Sequence, residues 1–203
     1  IETKKVASMM GEENTDVSLS GVTWAPDSKR VAAALKLKGD EFEQIYVHDI
    51  GTQKLKKVTQ HHSRVLDLHW STDGQSTYFR ARRKNPVDAS QEKLQIQPYD
   101  TELPHELWRY DDQSGKSILM LGGNATVKNY SVSRDGSKIL ARLEPGGAKF
   151  ESKDGELWLH DISAATTQRL TNNKYREANP KLAPDNKRFA FIATVNEQGE
   201  GYY

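Results

Sequence analysis

Apolar and polar residues alternate along this chain in short bursts broken by turns, and one burst returns four times. "VTWAPDSKRVAAAL" begins at Val22, "LHWSTDGQSTYFRA" at Leu68, "YSVSRDGSKILARL" at Tyr130 and "PKLAPDNKRFAFIA" at Pro180. Aligned on Asp27, Asp73, Asp135 and Asp185, the copies lie 46, 62 and 50 residues apart. An apolar residue precedes each turn: Trp24, Trp70, Val132 and Leu182. The turns begin Ala25-Pro26, Ser71-Thr72, Ser133-Arg134 and Ala183-Pro184. Proline suits the second position of a type I turn, and Gly74, Gly136 and Asn186 suit a last position with positive φ. Ser28 fits that position worst. Each turn leads into a second alternating segment, as a hairpin requires.

A second hairpin follows in three copies, "QIYVHDIGTQKLKKVT" (44–59), "ELWRYDDQSGKSILML" (106–121) and "ELWLHDISAATTQRLT" (156–171). Tyr46, Trp108 and Trp158 share one column, and Asp49, Asp111 and Asp161 another. Each repeat therefore predicts four short antiparallel strands over roughly 40–50 residues, the signature of a β-propeller blade. One four-stranded sheet cannot bury both faces alone, whereas blades packed face to face can. Independent sandwich domains would show the strands without such regular turns. The expected fold is all-β, an arc of about four blades within a larger propeller. The expected boundaries are a last strand plus linker over 1–19, blades at 20–60, 61–122 and 123–172, and a partial blade at 173–203. "TKKVASMM" (3–10) matches "LKKVTQHH" (55–62), so the chain reads as starting and stopping inside blades, with three whole repeats and two partial ones.

Composition removes several function classes. The 203 residues carry 29 Lys and Arg against 28 Asp and Glu, a net charge of +1, with both signs interleaved. No basic stripe suggests nucleic acid. There is no cysteine, hence no disulfide and no thiolate metal site. No apolar run approaches the roughly 18 residues of a membrane span.

Candidate chemistry is sparse. His48 and His160 share a repeat column with Tyr110, which reads as a structural role. His61, His62 and His69 have no carboxylate at ligand spacing. The Asp columns read as side-chain to backbone hydrogen bonds in turns. Trp24, Trp70, Trp108 and Trp158 could form a sugar-stacking platform, but their fixed positions favour packing between blades. "GGNAT" (122–126) lacks the lysine and the following helix of a phosphate loop. The segment 81–106 is a long polar insertion between second and third strands. With Lys149, Glu151 and Lys153 it predicts loops on one rim, where function is often carried. No residue is assigned a catalytic, cofactor-binding or metal role.

The Trp–Ser/Ala–Pro/Thr–Asp–Gly turns, the "ELW" strands and the closing "RLT" resemble TolB-type and WD40-like propeller repeats. "DLHWSTDGQSTYF", "PYDTELPHELWRYDDQSGK" and "RLTNNKYREANPKLAPDNKRFAFIATVNEQGEGYY" resemble blades of the N-terminal propeller of the prolyl oligopeptidase family, which includes acylaminoacyl and dipeptidyl peptidases. That resemblance implies a propeller that restricts substrates to peptides and positions them for an α/β-hydrolase domain with a Ser-Asp-His triad. It also leans towards a periplasmic or secreted setting. The chain has no G-x-S-x-G elbow; "SLSGV" (18–22) lacks the leading glycine. "EFE" (41–43) does not match the paired glutamates with which dipeptidyl peptidases hold an amino terminus. The expected role is non-catalytic: gating and orienting peptides for a hydrolase domain elsewhere in the same protein. The alternative is a TolB-like module that binds a protein or peptide. A propeller lyase or sugar-binding protein would need a metal or sugar site that this pattern does not show.

Overall fold

The computed structural model describes residues 18–83, 104–123, 125–145, 155–173 and 175–194. Every regular element among them is a β-strand, and no helix is long and apolar enough to cross a membrane. β1 (Ser18–Trp24), β2 (Arg30–Lys36), β3 (Gln44–Asp49) and β4 (Lys54–Lys57) form the first sheet. β5 (Val65–Trp70), β6 (Ser76–Arg82), β7 (His105–Asp111) and β8 (Lys116–Leu121) form the second. β9 (Ala125–Val132), β10 (Lys138–Pro145), β11 (Glu156–Asp161) and β12 (Thr166–Arg169) form the third. β13 (Arg176–Leu182) and β14 (Phe189–Thr194) pair as a fourth, two-stranded sheet. Strands neighbour one another in chain order and pair antiparallel, as in propeller blades. The segment 3–10, most of the 81–106 insertion, and Lys149, Glu151 and Lys153 lie outside the described residues.

The four inner turns are one structure repeated. The N–H of Ser28, Gly74, Gly136 and Asn186 donates to the carbonyl three residues back at 2.9–3.0 Å. The turn aspartate then accepts an N–H from two residues ahead: Lys29 to Asp27, Gln75 to Asp73, Ser137 to Asp135 and Lys187 to Asp185. This bond offers the backbone an alternative to the ladder and ends the first strand. In the second hairpins Asp49 and Asp111 accept the N–H three residues ahead, of Thr52 and Ser114, and Asp161 that of Ser163, two ahead.

Ser28 sits at φ +57°, where Gly74 and Gly136 sit at +67° and +72°. A side chain in this left-handed region is strained and glycine is not. Ser28→Gly is therefore expected to stabilise the protein by about 0.5–1 kcal/mol, read as a higher urea midpoint with an unchanged slope.

Each first strand also carries a one-residue bulge. The register shifts between Leu19 and Gly21, between Leu66 and His69, around Lys128, and between Ala178 and Lys181. Such an insertion bends the strand and increases its local twist.

The chain divides into two compact units. One holds residues up to Arg82 together with Leu107–Met120; the other holds Arg83–Glu106 and Leu121 onwards. In the first unit, Ala32, Ala34, Ile45 and Val47 of the first sheet pack against Val65, Leu68, Phe79, Ala81 and Tyr110 of the second. The buried strand β2 reads as a continuous apolar run for that reason. The second unit has its own core, built from Val127, Tyr130, Ile139, Leu140, Ala141 and Leu157.

Candidate functional site

The second unit contains a cleft of about 400 Å³ on one face of the third sheet. Strand alternation places Glu156, Trp158 and His160 of β11 on that face. Their register partners are Leu143, Ala141 and Ile139 on β10, while Arg169 and Thr167 of β12 stand opposite Trp158 and His160. Trp158, Leu121, Leu143, Pro145 and Ala125 give the cleft apolar walls, and Glu144, Glu156, Thr167 and Arg169 supply its polar groups.

Those polar groups are tied into two networks. Glu156 Oε1 accepts from Arg169 Nη2 at 2.8 Å and from the Asn173 N–H at 3.0 Å. Arg169 Nε donates to the Thr171 carbonyl. Thr171 Oγ1 accepts from the Leu157 N–H and donates to Glu177, whose other oxygen accepts from Asn173 Nδ2. Glu177 is buried by this arrangement. Glu156 Oε2 is buried without a hydrogen-bond partner among the described residues. In the second network, Arg142 Nη1 stands 2.6 Å from Glu144 Oε1, and Lys128 Nζ lies 3.3 Å from Glu144 Oε2. A Cβ on Gly155 would come within 2.6 Å of Glu144 Cγ and 2.8 Å of Arg142 Nη2, so only glycine fits beside the pair.

The cleft offers binding chemistry, namely an indole and aliphatic wall with a guanidinium and a hydroxyl at one side. Its nearest histidine, His160, is buried with Nδ1 3.0 Å from Thr167 Oγ1. Among the described residues no group of three His, Asp or Glu side chains is placed to hold a metal ion.

The sequence-level candidates are spread through the fold. His48, Tyr110 and His160 are all buried, as one column of the repeat. His61 packs edge-on against Phe79 and Trp108, at 6.0 and 5.4 Å between ring centres, and lies 4.1 Å from the ring of His62. Trp70 and Trp108 pack against the core of the first unit. Trp158 faces the cleft. Trp24, on the first described sheet, is 59% exposed.

Burial, with the neighbouring His62 adding to it, lowers the His61 pKa to about 4. The folded state therefore favours neutral imidazole, while the unfolded chain titrates near 6.5. The resulting stability is complete above pH 6.5 and is lost as pH falls from there towards 4. Allowing for solvent screening, the wild type is expected to lose about 1–2 kcal/mol more than His61→Gln between pH 7 and 4.5. Urea unfolding of both proteins at the two pH values measures it; equal losses would rule it out.

One functional column escaped the sequence reading. Gln44 and Glu156 begin their third strands, Glu106 is the second residue of its own, and all three are buried. Gln44 Oε1 accepts from Thr59 Oγ1 and the His61 N–H, and its Nε2 donates to the His61 carbonyl. Glu106 accepts from Arg83 Nε at 2.8 Å. In the first and third repeats, Gln44 with Thr59 and Glu156 with Thr171 thus fasten the loop that leaves the fourth strand, whereas Glu106 holds Arg83 of the loop after β6. The recurrence of a polar residue before Ile45, Leu107 and Leu157 was the available signal.

Comparison with solved structures shows the fold: four-stranded blade sheets of a β-propeller. A prolyl endopeptidase structure superposes with a TM-score of 0.61 at 16% identity, covering 87% of this chain and 25% of that one. TolB from Acinetobacter baumannii gives 0.54 at 17% identity, covering 89% and 44%. Oligogalacturonate lyase from Vibrio parahaemolyticus gives 0.65 at 13% identity, covering 95% and 54%. The chain thus spans from a quarter to about half the length of these three structures. No family model matches the chain, and no curated protein matches it.

Proposed function

We propose that this chain is a non-catalytic propeller segment of a prolyl oligopeptidase-like serine peptidase. It gates and orients peptide substrates for a hydrolase domain outside these residues. The reading is carried by four repeated blade hairpins whose sheets superpose on a prolyl endopeptidase over most of this chain. The sequence resemblance of the second repeat and of the last, partial repeat to that family points the same way. An apolar cleft with an indole wall suits an extended peptide, whose side chains need apolar surface and whose backbone needs hydrogen-bond partners. The second reading is a TolB-like module that binds a protein or peptide without catalysis, favoured by the superposition on TolB.

The intact mass and reading frame of the source protein separate the two. The peptidase reading expects a downstream hydrolase with a G-x-S-x-G elbow. It also expects the purified protein to cleave short chromogenic peptides faster than the same sequences held inside a folded protein. A protein without that domain, or one that cleaves both substrates equally, overturns it.

A further inference from the structure

The fourth strand of each four-stranded sheet lies at the sheet edge: β4 in the first, β8 in the second and β12 in the third. The outward N–H and C=O groups of such a strand have no ladder partner within the sheet, and edges of this kind pair with other chains unless they are guarded. Two of the three are guarded by their sequence. β4 is four residues long and reads Lys54-Leu55-Lys56-Lys57; its one apolar side chain packs against Ala33, Leu35 and Tyr46. β12 is equally short and reads Thr166-Thr167-Gln168-Arg169, with no aliphatic or aromatic residue.

β8 departs from that pattern. It runs for six residues, Lys116-Ser117-Ile118-Leu119-Met120-Leu121, and its only charge stands at the first position. Ile118 and Leu119 are 44% and 46% exposed. Successive residues of a strand point to opposite faces, so each face of this edge carries an exposed apolar side chain. A segment of this length, low in charge and free of Pro and Gly, pairs readily with its own kind.

We propose that β8 is the self-association edge of this protein, pairing antiparallel with β8 of a second copy about a two-fold axis. The charge pattern of the strand favours this occupant. Antiparallel pairing sets the 118–120 segments of the two copies against each other and sends the two Lys116 side chains to opposite ends. Parallel pairing would place the lysines side by side, and like charges on adjacent strands repel. The whole chain carries a net charge of +1, so two copies meet with little mutual repulsion. A patch that contacts its own copy across a two-fold axis is also the commonest way for identical chains to associate. A contact between two short strands is smaller than the roughly 1,200–2,000 Å² of standard interfaces, so the dimer forms reversibly as concentration rises. The pairing does not depend on what the cleft of the third sheet binds.

Sedimentation equilibrium of the 203-residue chain, from micromolar to near-millimolar concentration, is expected to show a reversible monomer–dimer equilibrium. Ile118→Lys and Leu119→Lys should each weaken it at least several-fold. Both side chains already face solvent, so the Tm of dilute protein should stay close to that of the wild type. Val22→Lys, at another exposed apolar position, should leave the association unchanged. The chain has no cysteine, so single introduced cysteines report the contact directly. Ile118→Cys or Leu119→Cys should give a covalent dimer on mild oxidation, and Gln168→Cys on β12 should not. A monomer at every concentration overturns the proposal and leaves the edge to a strand of another protein. A dimer that survives both lysine substitutions, or that cross-links equally through Gln168→Cys, also overturns it and assigns the contact to another surface.

Discussion

Replacing Arg142 with methionine is expected to destabilise the protein by about 3–5 kcal/mol. Arg142 and Glu144 lie two residues apart on β10, on the same face, with side chains 4% and 3% exposed. Removing the guanidinium leaves a buried carboxylate with Lys128 beside it, 3.3 Å away and itself a third exposed. An unmatched buried charge costs far more than the intact pair contributes, since the pair's attraction is largely offset by desolvation. The double variant Arg142→Met/Glu144→Leu should therefore regain most of the loss. Urea unfolding of the two single variants and the double variant measures the coupling; additive losses would show that the pair does not act as a unit. Gly155→Ala should move stability in the same direction, because its Cβ would push into both side chains.

Phe79→Ala is expected to cost about 3–5 kcal/mol through the cavity it leaves. Phe79 is fully buried at the meeting of the first two sheets, among Ala34, Ile45, Val65 and Tyr110. Its neighbours are strands held by their ladders, so collapse into the space is limited. Phe79→Leu keeps most of the volume and should cost about 1 kcal/mol. A loss below about 1 kcal/mol for the alanine variant would mean that the two sheets repack, and the interface would then be softer than its burial indicates.

What could be read from the sequence was whatever is local. The turn aspartates stood out because their hydrogen bonds span two residues and need Gly, Asn or Ser at one fixed place. The strand columns followed from alternation, and the propeller followed from the period. Trp24 shows what a repeat column reports, a position in the sheet and not the presence of a neighbour; it is exposed while Trp70, in the same column, packs against the core of the first unit. Glu156 was missed because a glutamate at a strand start looks like a solvated end. Its partners Arg169 and Asn173 lie 13 and 17 residues away. The cleft was invisible for the same reason, since its walls run from Leu121 to Arg169. The bulges were hidden because one extra polar residue in an outer strand leaves the apolar count unchanged.

Those bulges have a consequence for how the gene can change. In a sheet with one wet face, alternation alone punishes a slipped register. Here β2 runs through five consecutive buried residues, Val31–Leu35, so a slip by one would still place apolar groups on both sides. Register must then be set by landmarks, and each first strand has two: the bulge near one end and the aspartate turn at the other. A deletion or insertion of one residue between them shifts every pairing of the hairpin. Loss or gain of a whole repeat shifts none. The heritable unit of variation in this architecture is the intact hairpin with its own ruler, which is why copies so divergent in sequence keep the same spacing within themselves.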